Sequence, residues 1–365
     1  MLGGSGTAVR LDDPHKPVEI DEQAIPEGFT GVLVNTSGST GTPKTVMLSR
    51  GALLAAAQAA NDRLGGPGSW TNPLPGWYVA GLMTRVRAMV AGMPYTEVSP
   101  HLEDLQPAQG RAYISLVPAQ LHRALSNSEI CRSLASYSAI LIGGAHLDSR
   151  LRTRAEHAGL PIVTTYGMSE TCGGVVYDGI PLDGVTISLI DGDDHLGQWG
   201  RFFLAPIEPE RTVPTGRIRI STATIFEGYL GDPELTAWVR DGNSFLTNDR
   251  GRIVDGRLQV LGRVDDVVQS GGTNVDLAEI QHLLDEAFPH QVACFAQPDS
   301  VWGSTVVVAS AGPDLDEIWA KLEPHLDSAA KPRGIVMVDA LPRTSSGKID
   351  RETLTEMWRN SGERT

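Results

Sequence analysis

Residues 139–166 read AILIGGAHLDSRLRTRAEHAGLPIVTTY. Four apolar residues, Ala139-Ile140-Leu141-Ile142, stop at Gly143-Gly144-Ala145. A charged stretch with helical spacing fills 147–158, and a second apolar and β-branched run, Ile162-Val163-Thr164-Thr165-Tyr166, follows. An apolar tetrad ending at glycines reads as a buried strand, and strand–helix–strand alternation predicts a parallel sheet in an α/β fold. Ligands of such sheets gather at the carboxyl ends of the strands. Gly143, Gly144 and Ala145 stand at one such end, and Tyr166-Gly167-Met168-Ser169-Glu170-Thr171 stands at the next.

Outward from this core the same texture continues. Residues 1–30 are polar and punctuated by Pro and Gly, while 31–35 read as a short buried strand. Ser49 suits an N-cap for a helix over 53–64, and Gly65-Gly66-Pro67-Gly68 ends it. Helical spacing recurs over 81–90, and over 116–125 after a strand at 112–115. Past about residue 175 the segments become short and turn-bounded, as at 186–190 and 217–221, which predicts a β-rich subdomain. Another change of texture comes at Gly262-Arg263-Val264-Asp265-Asp266. Beyond it, helices are expected over 277–287 and 315–326, and strands over 291–296, 305–309 and 335–338. The expectation is a large N-terminal domain over 1–263, with mostly parallel sheets, helices and a β-rich subdomain. A small mobile α+β C-terminal domain follows over 264–365.

Composition agrees. The chain has 365 residues, enough for two domains. Hydrophobic residues make up 41% and charged residues 20%, the balance of a soluble globular protein. A net charge of −14 argues against a general nucleic-acid or anionic-membrane binder, which needs a basic face. Cys131, Cys172 and Cys294 form no CxxC pair, which favours a reduced, cytoplasmic setting without disulfides or a zinc site. The first residues lack the pattern of a secretory signal. No apolar run reaches the ~18 residues of a membrane span.

Two lysine-bearing segments carry the clearest chemistry. Thr36-Ser37-Gly38-Ser39-Thr40-Gly41-Thr42-Pro43-Lys44 is rich in glycine and hydroxyls. It is not a GxxxxGK[ST] motif, but its backbone N–H groups, hydroxyls and Lys44 could wrap a polyphosphate. A flexible Gly/Ser loop is the competing reading. Near the other end, Pro342-Arg343-Thr344-Ser345-Ser346-Gly347-Lys348-Ile349-Asp350-Arg351 presents Lys348 on a Ser-Gly turn. In the 166–171 segment, Ser169 can donate to an anion, and Glu170 offers the oxygen that Mg²⁺ prefers; a capped turn with a solvated Glu fits equally. Asp249, in Thr247-Asn248-Asp249, can accept from ribose hydroxyls, and Arg263 can reach a phosphate or ribose. Asp265 can serve as a hinge. Singly, these residues fit surface turns as well. The histidines 101, 122, 157 and 282 lack partner spacing, Cys172 reads as a pocket wall, and the acidic cluster at 191–194 reads as solvated.

Taken in order, these segments resemble the adenylate-forming superfamily of acyl-CoA synthetases, adenylation domains and luciferases over residues 31–355. The carriers are TSGSTGTPK, YGMSE, Gly228-Tyr229 after Gly216, TND, GRVDD and PRTSSGKIDR. Within it the chain is most similar to 2-succinylbenzoate–CoA ligases of menaquinone biosynthesis, through 62–70, Ala80-Gly81-Leu82, 115–121 and 166–185. The resemblance implies an AMP-forming ligase that uses ATP, Mg²⁺ and coenzyme A, acts on a carboxylic acid such as 2-succinylbenzoate, and is compatible with a homodimer. It implies that Thr36, Ser37, Gly38, Ser39, Thr40, Gly41 and Lys44 hold phosphates, that Gly143, Gly144 and Ala145 line the adenine and acyl pocket, that Tyr166 packs near adenine, and that Gly167 is a further nucleotide-binding residue. Ser169 would contact the adenylate phosphate, and Glu170 Mg²⁺. Asp249 and Arg263 would hold ribose, and Lys348 would be the catalytic lysine of adenylation. Tyr78 and Gly81 would face the acyl group, Gly271 and Gly272 pantetheine, and the C-terminal domain would turn about Asp265. Three positions depart from the pattern: Thr45 follows Lys44 where Gly is usual, Asn274 replaces a basic residue, and Tyr78 replaces a histidine. Tyr78 keeps a ligase for another aryl or acyl acid in play. A carrier-protein-loading adenylation module and an inactive homologue are further alternatives.

Overall fold

The structure, a computed structural model, describes residues 8–14, 17–36, 44–190, 215–299, 301–344 and 349–361. The chain parts into two compact units: Met1–Ser188 with Arg219–Leu246, and Leu189–Ile218 with Thr247–Thr365. Residue 264, where the sequence reading sets its boundary, lies inside the second unit.

In the first unit, β1 (Val9–Leu11), β2 (Gly31–Thr36) and β3 (Lys44–Ser49) open a sheet in which β1 runs parallel and β3 antiparallel to β2. β3 turns directly into α1 (Arg50–Arg63), whose N-cap Ser49 accepts from the Ala52 N–H at 3.3 Å. Leu53, Ala56, Ala57 and Ala60 recur at helical spacing on its buried face.

A seven-stranded sheet follows. Its elements are β4 (Ser69–Asn72), α2 (Val79–Ala91), β5 (Tyr95–Glu97), β6 (Ala112–Leu116), α3 (Pro118–Ala124), α4 (Ser128–Leu134), β7 (Ala139–Ile142), α5 (Ser149–His157), β8 (Ile162–Met168), β9 (Gly173–Tyr177) and β10 (Ile180–Pro181). The strand order is β10-β9-β8-β7-β6-β4-β5. Neighbours from β5 to β8 are parallel, and β9 and β10 are antiparallel additions. Every residue of β6 and β7 is buried, as a sheet covered on both faces demands. The helices α1 and α2 start before the sequence reading, at Arg50 and Val79, and two others start later. α5 begins at Ser149 because Asp148 caps it, its Oδ1 accepting from the Leu151 N–H at 2.9 Å. Leu116 stays in β6, so α3 starts at Pro118, where the missing N–H costs nothing.

The chain runs on through β11 (Thr186–Ile190) and β12 (Thr215–Ser221), each of which is shared between the units. β13 (Gly228–Tyr229) then returns to the first sheet, antiparallel to β3 with Tyr229 opposite Val46. α6 (Pro233–Val239), β14 (Arg240–Asp241) and the first residues of β15 (Ser244–Val254) complete the unit. Val34, Val46, Leu48, Leu53, Met83 and Phe226 share one core cluster between the first sheet and α1 and α2.

In the second unit, the rest of β15 pairs with β16 (Arg257–Arg263), placing Asp249 opposite Arg263. β17 (Val267–Ser270), β18 (Thr273–Asp276), α7 (Leu277–Ala287), β19 (Val292–Asp299), β20 (Gly303–Ser310), α8 (Leu315–Leu322), β21 (Gly334–Met337) and α9 (Arg351–Ser361) follow. The strands form one sheet, β18-β17-β20-β19, with β21 on β20. Alternation along β19 gives two faces. Val292 and Cys294 meet Ile280, Leu284, Ile318 and Leu322 of α7 and α8, while Ala293 and Phe295 meet Leu354 of α9. The α/β and α+β character is that expected from the sequence. Among the described residues no helix is long and apolar enough to cross a membrane.

Candidate active site

Parallel strands end together, and here that geometry gathers the expected segments. β6, β7 and β8 are in register at Leu116, Ile142 and Thr164, so Gly143, Gly144 and Ala145 emerge beside Thr165, Tyr166 and Gly167. A side chain at Gly143 would meet Thr165 Oγ1 at 2.5 Å, and one at Gly167 would meet the Gly173 carbonyl oxygen at 2.0 Å. Glycine at these positions lets backbone lie against backbone at the strand ends. Beyond β8, Thr171 Oγ1 accepts from the Met168 N–H at 3.0 Å and donates to the Gly173 carbonyl at 2.7 Å, which fixes the turn carrying Ser169 and Glu170.

Glu170 does not point freely into solvent. Its Oε1 accepts from the Tyr229 hydroxyl at 2.8 Å, and its carbonyl accepts from the Phe226 N–H at 2.8 Å. The Lys44 ammonium lies 5.3 Å from the centre of the same Tyr229 ring. Thr36 and Lys44, the last rung of the β2–β3 hairpin, are further joined by Thr36 Oγ1 donating to the Lys44 carbonyl at 3.2 Å. One rung below, Thr45 donates to Asn35 at 2.7 Å and Asn35 donates to Asp12 at 2.9 Å. The residue that departs from the Lys-Gly pattern is thus a cross-strand partner. Ser37, Gly38, Ser39, Thr40, Gly41 and Lys348, and the acidic cluster at 191–194, lie outside the described residues.

On α2, Gly81 faces the Pro75 carbonyl so closely that a side chain there would meet its oxygen at 2.2 Å. Tyr78 is the N-cap residue of α2, its ring 6.2 Å from that of Trp77. The same helix carries a residue the sequence reading overlooked. Arg87 is only 5% exposed, and its guanidinium lies 5.0 Å from the Trp70 ring centre. Its Nε and the Tyr177 hydroxyl are both buried without a hydrogen-bond partner. Burial pushes the Tyr177 phenol above its ordinary value, and the charges of Arg87 and Arg63 offset part of that rise. A side chain on Gly173 would come within 3.8 Å of Arg87 Nη2, so Arg87 lies close to the turn that carries Glu170. The signal in the sequence was a cation four positions after Met83, on the buried stripe of α2.

Cys172 is 1% exposed, and its left-handed backbone (φ 54) closes the turn. Burial, and secondarily the charge of Glu227, push its thiol far up, which disfavours the nucleophilic thiolate, and the side chain packs in the core of the first unit.

Within the second unit, Asp249 is 8% exposed and lies 3.4 Å from Arg263 Nη1. Arg263 grips Asp265 through Nε at 2.8 Å and Nη2 at 2.9 Å. Burial works against the Arg263 charge, but the carboxylates of Asp265, Asp249 and Asp266 outweigh it and hold the guanidinium above its ordinary value. Gly271 and Gly272 form the two-residue turn between β17 and β18, both with positive φ (59° and 82°), the geometry that hairpins of this length favour. A side chain at Gly271 would strike the Trp302 ring at 2.4 Å.

Residues 12–230 match the AMP-binding enzyme family, and residues 288–348 match the C-terminal domain of AMP-binding enzymes. The chain belongs to the AMP-binding enzyme family. It is 35% identical over 382 residues to a probable 2-succinylbenzoate–CoA ligase of Mycobacterium tuberculosis, covering 98% of this chain and 93% of that one. Among solved structures it is similar to ATP-bound MatB of Rhodopseudomonas palustris, with a TM-score of 0.75 and 24% identity over 90% of this chain and 68% of that one. It is also similar to the o-succinylbenzoate CoA synthetase MenE of Bacillus subtilis in complex with the acyl-adenylate intermediate OSB-AMP, with a TM-score of 0.71 and 24% identity over 88% of this chain and 68% of that one. At that identity the two structures establish the fold, and the adenylate-forming resemblance read from the sequence is borne out.

Proposed function

We propose that this chain is an ATP-dependent 2-succinylbenzoate–CoA ligase, working through an acyl-adenylate. One carboxylate of that acid becomes the thioester; the other stays ionised and needs a fixed partner. The observation that carries this reading is Arg87. A guanidinium stays charged, and a buried charge left unpaired costs several kcal/mol. Arg87 Nε and the Tyr177 hydroxyl are buried donors without acceptors, and a carboxylate is the acceptor that a guanidinium pairs with best. The Mycobacterium tuberculosis relative supports the same acid.

In this reading the acid's carboxylate oxygen attacks the α-phosphorus of ATP, the bond to the β-phosphate oxygen breaks, and pyrophosphate leaves. Negative charge on phosphate oxygens is met by the Thr36–Lys44 segment and by Lys348, donors of a kind whose loss typically costs roughly 10²–10³ in rate. Gly143, Gly144, Ala145, Tyr166 and Gly167 frame the adenine and acyl pocket, and Ser169 donates to the phosphate. Asp249 accepts from ribose hydroxyls, with Arg263 beside it. Tyr78 and Gly81 border the acyl group. The CoA thiol then attacks the anhydride carbonyl, gives up its proton and expels AMP, its pantetheine passing Gly271 and Gly272. We place the turning point between the two half-reactions at Asp265, with 264–365 moving as a body in the cytoplasmic enzyme.

Mg²⁺ fits the donor set. Among the described residues no group of three His, Cys, Asp or Glu could hold a metal alone. Mg²⁺ is commonly held by one or two carboxylates together with substrate phosphates, and Glu170 supplies such an oxygen. When bound, it neutralises charge on the phosphate oxygens.

The test is pyrophosphate release over a panel of aryl and acyl acids, with and without CoA. Strong preference for 2-succinylbenzoate is expected, and activity confined to unrelated acids overturns the assignment. Tyr78, standing where the ligase pattern has histidine, favours one second reading: a ligase for a different aryl acid, which the same panel reveals.

A further inference from the structure

Tyr229 touches two groups that the proposed chemistry uses separately. Its hydroxyl donates to Glu170 Oε1 at 2.8 Å, and its ring lies under the Lys44 ammonium at 5.3 Å. The ring is itself held. It is 7% exposed, it packs edge-on against Phe226 at 4.9 Å, and its backbone N–H donates to Thr236 Oγ1 at 2.9 Å. Phe226 in turn ties back to Glu170 through its N–H. β13 pairs with β3 at Val46, and the Leu230 N–H donates to the Thr45 carbonyl at 2.9 Å, so Tyr229 keeps a fixed register beside Lys44.

We propose that Tyr229 is a positioning residue for adenylation, aiming the Glu170 carboxylate with its hydroxyl and holding the Lys44 ammonium on its ring. The inference rests on the ATP-dependent ligase reading above. Groups that orient a metal-binding ligand from behind commonly change metal affinity about 10–100-fold when removed. A cation over an aromatic ring is restrained without being neutralised. Lys44 is therefore kept near Glu170 and can leave the ring for a phosphate, while Glu170 retains one oxygen anchored and one to offer.

Two variants separate the functions. Tyr229→Phe removes the hydroxyl and keeps the ring, and Tyr229→Leu removes both. Pyrophosphate release is measured against Mg²⁺ and against ATP, and Mn²⁺ binding in the presence of a nonhydrolysable ATP analogue is followed by electron paramagnetic resonance. For Tyr229→Phe, half-saturating Mg²⁺ and the Mn²⁺ dissociation constant are expected to rise about 10-fold, with the KM for ATP at saturating Mg²⁺ within about twofold of wild type. For Tyr229→Leu, the KM for ATP is expected to rise about 3–10-fold as well, and that increment should vanish in a Lys44→Met background. Unchanged metal dependence in Tyr229→Phe, or an equal fall in kcat in both variants with every KM intact, overturns the proposal and leaves the ligase reading standing. A wild-type protein that releases no pyrophosphate with any acid overturns the ligase reading itself, and this inference with it.

Discussion

Arg263 holds Asp265 with two parallel hydrogen bonds, and the next residue, Asp266, is paired with Arg351 of α9. Adjacent carboxylates therefore anchor to different arginines, one at the end of β16 and one in the C-terminal helix. Burial opposes the charge of Arg351 as well, and Asp266 again outweighs it. These arginines are half-buried, and each loses charge-assisted hydrogen bonds if stripped of its partner, so the proposed rotation is better absorbed by the backbone between the two pairs.

Asp265→Pro tests that placement. Proline fixes φ near −65° and removes an N–H, which blocks a swivel at this residue. Adenylate formation is expected to stay within about threefold of wild type, while thioester formation from supplied acyl-adenylate falls by roughly 10²-fold or more, the scale at which mispositioned reactants lose rate. Asp265→Ala is the control for the lost ion pair, because it removes the carboxylate and leaves φ free. Equal losses in both half-reactions, or the same split in the alanine variant, would place the turning point elsewhere.

Sequence legibility followed physical strength. The β7–α5–β8 unit could be read because β7 is wholly apolar and β8 opens on Ile162-Val163 followed by β-branched threonines, while the Asp148 cap that sets the start of α5 went unread. β3 escaped notice because only three apolar residues, Val46, Met47 and Leu48, stand between Lys44-Thr45 and the cap at Ser49; its existence depends on pairing with β2 and β13, which no local pattern reveals. The motif residues were visible through glycine and hydroxyl spacing, yet the contacts that orient them were not. The Tyr229 bond to Glu170 joins positions 59 residues apart. Arg87 was hidden for the opposite reason: in a helix of mixed composition that also carries Arg85, an arginine reads as surface, and only its 5% exposure marks it as unusual.

Arg87 also makes a prediction that separates recognition from packing. Removing a buried charge whose Nε lacks an acceptor relieves its desolvation cost, so Arg87→Met should keep or raise the Tm of the ligand-free protein despite the lost contact with the Trp70 ring. A charge-assisted hydrogen bond contributes about 1.5–3 kcal/mol, so kcat/KM for 2-succinylbenzoate should fall about 10–100-fold. Activity on 3-benzoylpropanoate, which lacks the second carboxylate, should change less than about threefold. Arg87→Lys should recover part of the loss. A Tm drop of many degrees with equal losses on both acids would mean that Arg87 only props the core against Trp70.

The buried thiols set an alkaline limit. Burial raises Cys172 and Cys294 above the ordinary thiol value of about 8.5, Cys294 to about 12. A raised folded-state pKa means that the unfolded chain loses its proton first. The stability contribution is whole below about pH 8.5 and drains away as pH climbs towards 12. Stability to urea should therefore decline steadily above about pH 9. A Cys172→Ala, Cys294→Ala protein should start lower, by about 1–2 kcal/mol in total for the lost packing, and decline less steeply. Equal slopes for both proteins would show that the buried tyrosines alone account for the alkaline loss.

Lys348 offers the sharpest division of labour. The chain on either side of it is tied down: Arg343 bridges to Ile349, and the Asp350 N–H donates to the Pro342 carbonyl at 3.0 Å. Arg351 then anchors the start of α9 to Asp266. Under the proposed function the charge of Lys348 matters only while negative charge grows on departing pyrophosphate. Lys348→Ala should lower acid-dependent pyrophosphate release by about 10²–10³-fold, the usual scale for losing one such donor. Conversion of chemically prepared acyl-adenylate and CoA to thioester should stay within about threefold, since no pyrophosphate leaves in that step. Rapid-quench measurement of each half-reaction in the same preparation gives both numbers. A comparable collapse of the two would mean that Lys348 supports the folded C-terminal segment as a whole and has no role special to activating the acid.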